Sequence, residues 1–253
     1  LAFYRDQMAG IAAGADALGF AVENFDLKSP GLTSSCIRRT LRARNIRGII
    51  VAPLPQGETA IDFDFTDLAA VALGLSLHTP VMERVANDHF NSAVRAVSEC
   101  VALGYRRIGF VNTRDASFRF GHRWAAGFAL AIQQHRLTDQ PAPLCPDWLE
   151  DVARAIPEWL AAERPDVVIL AHTEKELQKL IPPSIGKVLL GVDSLEDATT
   201  GIYQNAFELG RIALEHIVQK LYINSFSLPS QAHDHLFEGI WVRGTTALGP
   251  KRR

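Results

Sequence analysis

The segment VANDHFNSAVRAVSECVALGYRRIGFV, residues 85–111, carries the pattern that decides the fold. It begins in an apolar run, continues through residues 90–103 with apolar side chains at helical spacing, stops at Gly104, and resumes as a second apolar run. A shorter stretch, ALGFAV at 17–22, repeats the order of helix end, glycine, aromatic residue and strand. This repeated order predicts two similarly built α/β units.

Strands and helices alternate outward from this segment. We predict strands at 20–27, in RGIIVAPLP (47–55), and at 68–75, 81–88, 106–111, 166–170, 187–193 and 233–243. Helices are predicted in the first 18 residues and near 33–45, 90–103, 121–135, 148–162, 174–181 and 205–222. Because most of these strands are apolar throughout, the pattern predicts parallel sheets covered on both faces. The chain opens on a helix, whereas the first strand of such a sheet is normally central. We therefore expect a strand upstream of residue 1.

Composition excludes several classes of protein. The 253 residues are 47% hydrophobic and carry a formal net charge of −2. A buried core is therefore expected and a DNA-binding face within these residues is not. The three cysteines form no C-x-x-C pair and there is no signal peptide or apolar run of membrane length, so we expect a reduced, cytoplasmic protein without membrane contact.

Enzyme and metal signatures are scarce. The phosphate-binding, nucleophile-elbow and zinc-protease motifs are all missing, so we expect neither catalysis nor a cofactor. His233 and His235 would share one face of a strand, but a metal needs further ligands and the sequence shows none beside them. We therefore predict no metal, with a surface or interface pair as the default reading.

Polar and aromatic residues follow the predicted strands, where open α/β sheets bind ligands. Arg123 opens a helix, although a cation is unfavourable at a helix N-terminus, so it either faces an electron-rich group or is a solvated surface residue. An arginine, a carboxylate and an indole together suit a neutral polyhydroxylated ligand. Asp193 could instead cap a turn, and Trp148 could be core. The candidates are Pro53, Asp88, Arg123, Trp148, His172 (followed by Thr173) and Asp193.

Many short motifs in order resemble the effector-binding part of the lactose/galactose-repressor (LacI/GalR) family. The segment at 85–111 is similar to its D…L-x-x-L-G-[HY]-R-R-I pattern, and HRWAAGF (122–128) to R-x-x-G-[FW]. Further matches are FYRDQMAGIAAGADALGF (3–20), IRGIIVAPLP (46–55), VLLGVDS (188–194), GIYQNAFELGRIALEHI (201–217) and WVRGTT (241–246). The resemblance covers nearly the whole chain.

The resemblance implies roles for individual residues. Arg123 would hydrogen-bond an effector, Asp193 would accept from its hydroxyls and Trp148 would stack on it. Phe3 and Tyr4 would line the amino-terminal side, and Gln204 would lie at a crossover. His172 departs from the usual Asn-Asp, which puts sugar specificity in doubt and could make binding sensitive to pH.

The family fold is two parallel-sheet α/β lobes of periplasmic-binding-protein type joined by a three-stranded hinge. We expect residues 1–104 plus 205–238 in the amino-terminal lobe, without its first strand and DNA-binding headpiece, and 105–204 plus 239–253 in the other. The implied function is effector sensing in the inter-lobe cleft of a homodimeric repressor, which would hold operator DNA through an upstream helix-turn-helix segment absent from this chain. The alternatives are a periplasmic-type sugar-binding protein for transport or chemotaxis, or a sugar-modifying enzyme.

Overall fold

The computed structural model describes residues 2–27, 29, 31–172 and 174–250. Its helices are α1 (Ala2–Leu18), α2 (Ser34–Ala43), α3 (His89–Ala102), α4 (Arg114–Arg119), α5 (Arg123–Gln134), α6 (Leu149–Glu163), α7 (Lys175–Lys179) and α8 (Ala206–Tyr222). Its strands are β1 (Gly48–Val51), β2 (Ala69–Leu73), β3 (Arg84–Asn87), β4 (Ile108–Val111), β5 (Val167–Leu170), β6 (Gly186–Val192), β7 (Gly201–Tyr203), β8 (Asp234–Phe237) and β9 (Ile240–Val242). No helix among the described residues is long and apolar enough to cross a membrane.

The chain forms two compact units. Unit 1 holds the described residues of Leu1–Asn87 and Ala206–Phe237, and unit 2 holds those of Asp88–Asn205 and Glu238–Arg253. The sheet of unit 1 has the strand order β1-β2-β3-β8, and that of unit 2 has the order β4-β5-β6-β7-β9. Every neighbouring pair is parallel except β7–β9.

Alternate residues of the central strands fill cores on opposite faces of each sheet. In β2, Val71 and Leu73 pack with α1 and α8, while Ala70 and Ala72 pack with Phe65 and Met82 on the other face. In β5, odd-numbered residues pack with α3 and α5, and even-numbered residues with α6 and α7. The period of two in side-chain direction therefore builds a layer on each face of each apolar strand.

Two predicted strands are wrong. Residues 20–27 form no strand: Phe20 is 37% and Val22 44% exposed, and the segment belongs to neither of the two described sheets. A strand needs a hydrogen-bonded neighbour, which apolar alternation alone cannot supply. The predicted long strand at 233–243 breaks at Glu238 and Gly239 into β8 and β9, which belong to different sheets. Helix α4 and strand β7 were not predicted, because each is only a few residues long.

The first boundary between the units differs from the expectation at Gly104. The break lies between Asn87 and Asp88, so α3 belongs to unit 2. Buried residues of α3, including Ala96, Val97 and Cys100, join the core beside β4, β5 and α5, and this packing places the helix. The other two breaks lie after Asn205 and after Phe237.

Candidate functional site

One edge of the unit 2 sheet collects the residues that follow its strands. Because β4, β5, β6 and β7 are successive parallel neighbours, their carboxyl ends lie on the same edge. Asn112 directly follows β4, His172 lies just beyond β5, Asp193 directly follows β6 and Gln204 directly follows β7. The structure therefore brings together three sequence-predicted site residues, His172, Asp193 and Gln204.

The surroundings of Asp193 leave its carboxylate exposed rather than capping the next turn. The turn after β6 is closed by Asp197, which accepts hydrogen bonds from the backbone N–H of Asp193 at 3.2 Å and of Thr199 at 2.7 Å. The Gln204 side chain forms a hydrogen bond with the neighbouring strand: its Nε2 donates to the carbonyl oxygen of Leu190 in β6. The alternative in which Asp193 caps the turn is therefore wrong, because Asp197 closes it.

Arg123 begins α5 beside a buried imidazole. His89 is 6% exposed, and its ring centroid lies 4.2 Å from that of Trp124 and 5.1 Å from that of Phe120. The pKa of His89 is lowered to about 3, mainly by burial and in part by the charge of Arg123, while the charge of Asp88 opposes the shift. Both charges therefore act on the same imidazole, and the half-buried Arg123 is not a fully solvated surface residue.

Asp88 ends the loop after β3 and caps α3. Its carboxylate accepts from the backbone N–H of Asn91 at 2.9 Å and from the Asn91 side-chain amide at 2.7 Å. An acidic N-cap is the favourable charge for a helix start. Asp88 thus has a structural role, in addition to being a sequence-predicted ligand contact.

Helix α4 adds polar groups that the sequence prediction missed. Thr113 caps it through a 3.1 Å hydrogen bond from the Ala116 N–H, and Asp115 pairs with Arg119 at 3.5 Å, each with 11% of its side chain exposed.

Burial lowers the pKa of His172, while Glu174 and Asp115 oppose the shift. His172 is therefore neutral at pH 7, so its ring offers both a donor and an acceptor. In the sequence, the polar pair Asn112-Thr113 directly after RIGFV is the pattern that could have indicated the polar groups at the start of α4. Thr173 lies outside the described residues.

Trp148 stands at the N-cap position of α6 and is 46% exposed, which overturns the reading that it is core. Its loop is anchored to α4: the backbone N–H of Arg114 donates to the Pro146 carbonyl at 2.8 Å, and the Arg114 guanidinium bonds Asp147 at 3.1 Å. The buried tryptophans of unit 2 are Trp124 and Trp159. The indole of Trp148 is accordingly available to a ligand.

Several buried polar atoms in unit 2 have no hydrogen-bond partner among the described residues. They include Nδ1 of His89, Nδ2 of Asn112, Nε1 of Trp124 and Nε2 of His172. An unsatisfied buried polar atom costs about 1–3 kcal/mol, so such a group of atoms in one unit calls for an explanation. Those of Asn112 and His172 are at the carboxyl edge of the sheet, where a polar ligand could satisfy them.

Three predicted site residues lie in unit 1. Phe3 and Tyr4 are in the first turn of α1, 37% and 48% exposed, and Pro53 lies two residues beyond β1. The backbone N–H of Leu54 donates to Ser76 Oγ at 2.8 Å, which fixes the chain just after Pro53. The exposed aromatic pair and the strand-end proline are thus positioned by regular elements of unit 1.

Burial of His89 predicts a pH-dependent stability. Its folded pKa of about 3 lies below the unfolded value of 6.5, so the unfolded state binds more protons and stability falls as pH falls below 6.5. Between pH 6.5 and 5 this group should remove roughly 1.5 kcal/mol of unfolding free energy. Urea titrations of the wild type and of His89→Phe should show that the variant lacks this part of the slope. The exposed His135→Gln is the control and should keep it; an unchanged slope in His89→Phe would contradict the assignment.

No protein-family model and no curated protein sequence matches the chain. Solved structures do match it. A LacI transcriptional regulator from a Rhodococcus species is 19% identical, with a TM-score of 0.72 over 99% of this chain and 95% of its own. A LacI-family regulator from Enterococcus faecium with bound ribose is 16% identical, with a TM-score of 0.69 over 100% and 96%. A dimeric Lac repressor is 18% identical, with a TM-score of 0.67 over 97% and 94%.

These neighbours establish the class of fold. The chain is built as two α/β units with mainly parallel sheets, the periplasmic-binding-protein-like fold of LacI-family effector domains. The fold class predicted from the sequence is confirmed. The neighbours are transcription regulators rather than enzymes. Since one fold hosts many functions, what this chain binds has to be argued from its own residues.

Proposed function

We propose that this chain is the effector-sensing part of a LacI/GalR-type transcriptional regulator and that its effector is a small polar ligand, a sugar. The observation that carries the proposal is the pair of unsatisfied buried nitrogens, Asn112 Nδ2 and His172 Nε2, at the carboxyl edge of the unit 2 sheet. The ribose bound to the Enterococcus faecium neighbour supports the choice of ligand class.

The chemistry of this edge matches a polyol. The Asp193 carboxylate accepts from hydroxyl groups, the Arg123 guanidinium and the Asn112 amide donate to them, and neutral His172 can do either. The exposed Trp148 indole can cover the apolar C–H face of a sugar ring. We include Asp88 and Gln204, both in unit 2, as further proposed ligand contacts, while Phe3, Tyr4 and Pro53 of unit 1 stay sequence predictions.

Regulation would follow from differential affinity. A ligand that binds one conformation of the protein more tightly shifts the population toward it, and that shift would change operator binding. We propose that the functional species is a homodimer and that a helix-turn-helix segment outside these 253 residues contacts the DNA. The net charge of −2 and the dimeric Lac repressor among the structural neighbours support these two points.

A thermal-shift screen tests the proposed function. The purified chain is heated with mono- and disaccharides, beginning with ribose, and with nucleobases as the competing ligand class. At a hundredfold excess over its dissociation constant a true ligand should stabilise the chain by about 2.7 kcal/mol, a rise of several degrees. A rise with nucleobases alone, or with no compound, contradicts the sugar proposal. Conversion of the bound sugar to a product would show an enzyme and overturn the regulator.

Trp148→Ala should weaken sugar binding about tenfold, because the ring contributes stacking and apolar contact area. The melting temperature without ligand should change little, since the side chain is 46% exposed. Isothermal titration with the sugar found in the screen measures the effect. Tyr222→Ala, which removes a 76% exposed aromatic residue at the end of α8, is the matched control and should bind normally. Equal affinity in both variants would remove Trp148 from the site.

A further inference from the structure

The amino-terminal edge of the unit 1 sheet holds two histidines and a glutamate that come from three elements. Glu83 directly precedes β3, His235 is the second residue of β8, and His216 lies on α8. One potential ligand atom from each lies within 4.8 Å of the other two, and the two imidazole centroids are 4.0 Å apart. Strands β3 and β8 run parallel with Val85 opposite His235, and this register sets the three side chains at one end of the sheet.

We infer that Glu83, His216 and His235 form a binding site for a divalent transition-metal ion of the zinc type. Two imidazole nitrogens and one carboxylate oxygen are a common three-ligand set for zinc, with a water molecule in the fourth position. All three side chains are half-buried, so an ion could enter and still be partly shielded.

Binding requires the three side chains to move closer together. In a tetrahedral site, bonds of about 2.1 Å place two ligand atoms about 3.4 Å apart, so atoms up to 4.8 Å apart must approach by up to about 1.4 Å, a side-chain rotation. The ion would then join α8 to β8, an edge strand that pairs with β3 alone among the described strands. Such a cross-link stabilises unit 1 against unfolding.

Charged neighbours set the affinity of the site. The Lys220 ammonium donates to Glu83 Oε1 at 2.9 Å, and Lys220 is one helical turn from His216 on α8. Close by, Arg84 and Asp234 pair at 2.7 Å and offset each other. The ammonium repels a dication and competes for the carboxylate, so Lys220→Met should tighten metal binding by about tenfold or more.

This site is separate from the proposed ligand contacts. Glu83 precedes β3 whereas Asp88 follows it, and the other proposed ligand contacts lie, like Asp88, in unit 2. The metal proposal therefore does not depend on sugar sensing. In the sequence His235 is paired with His233, whereas in the structure it lies with Glu83 and His216. His233 is exposed and outside this cluster, and the His233 carbonyl accepts a hydrogen bond from the Arg84 N–H.

Metal binding to the untagged, metal-stripped chain tests the inference. Zinc chloride should bind with one equivalent per chain by isothermal titration and raise the melting temperature by roughly 5 °C at a hundredfold excess over its dissociation constant. Cobalt(II) should give the visible absorption of an imidazole-bound ion, whereas magnesium, which prefers oxygen ligands, should have no effect. Absence of a zinc response in the wild type would overturn the site.

Variants locate the ion. His216→Gln and His235→Gln should each lose the zinc response, while His233→Gln, the matched histidine on the same segment, should keep it. Lys220→Met should show a larger response than the wild type. Circular dichroism of the metal-free variants checks that they fold, and the cobalt spectrum reads out ligation independently of stability. Zinc binding that survives both glutamine variants would place it elsewhere, for example at the half-buried thiols of Cys36 and Cys145, and would refute the proposal.

Discussion

Replacing Arg123 with alanine should remove about half or more of the rise in melting temperature that the sugar ligand produces at a hundredfold excess over its wild-type dissociation constant. A charge-assisted hydrogen bond contributes about 1.5–3 kcal/mol, so its loss should weaken binding by roughly 10- to 150-fold. The ligand-free melting temperature should stay within a degree or two, because Arg123 is a cation at a helix N-terminus and its removal relieves about 0.3–1 kcal/mol of unfavourable dipole interaction. Asp193→Ala should behave in the same way, since its carboxylate is exposed and the adjacent turn is closed by Asp197.

Arg136→Ala provides the matched control. Arg136 is an exposed arginine just past the other end of α5, so the variant removes the same charge without touching the proposed site. Isothermal titration should give wild-type affinity for it. Wild-type sugar affinity in Arg123→Ala would remove Arg123 from the site, and a ligand-free melting temperature that falls by many degrees would show that Arg123 has a structural role instead.

Gly10→Ala should destabilise unit 1 by about 1–3 kcal/mol, the range for overpacking a close contact. A Cβ at Gly10 would lie 1.8 Å from the carbonyl oxygen of Phe207, and one at Gly210 would lie 2.0 Å from that of Gln7. The two glycines therefore allow α1 and α8 to pack backbone against backbone, and a methyl group must push the helices apart.

Gly14→Ala on the same helix is the control. Its Cβ would meet the Leu214 Cδ2 methyl at 2.9 Å, a flexible side-chain end that can rotate away, and alanine gains up to about 1 kcal/mol of helix propensity over glycine. Urea unfolding followed by circular dichroism should give a large loss for Gly10→Ala and little change for Gly14→Ala. Equal effects would mean that the helices are not held at this distance.

The fold was largely predictable because its strands are short, apolar and separated by clear helices. The buried runs of β2, β4 and β5 can be read directly, and Gly104 marks the end of the α3 region. The failures arise where pairing decides the outcome. Residues 20–27 have strand-like composition without a partner strand, and at Gly239 the backbone lies close to Ile202, a contact that no local pattern encodes.

The candidate site was predictable only in part. The rule that ligands bind beyond the carboxyl ends of strands identifies His172 and Asp193, since each follows an obvious strand. The burial that leaves Asn112 Nδ2 unsatisfied, and the Asp115–Arg119 pair, depend on how α4 packs. The cluster of Glu83, His216 and His235 is more remote still, because α8 lies far along the chain from β3 and only the sheet register brings them together.

The most direct test of the central claim is a crystal structure of the chain with the sugar that the thermal-shift screen selects. The account predicts sugar hydroxyl groups within about 3.5 Å of the Arg123 guanidinium, the Asp193 carboxylate and His172 Nε2, the limit for a hydrogen bond, with the Trp148 ring against the sugar's C–H face. A sugar bound away from the carboxyl edge of the unit 2 sheet, with these four side chains unchanged and untouched, would contradict it.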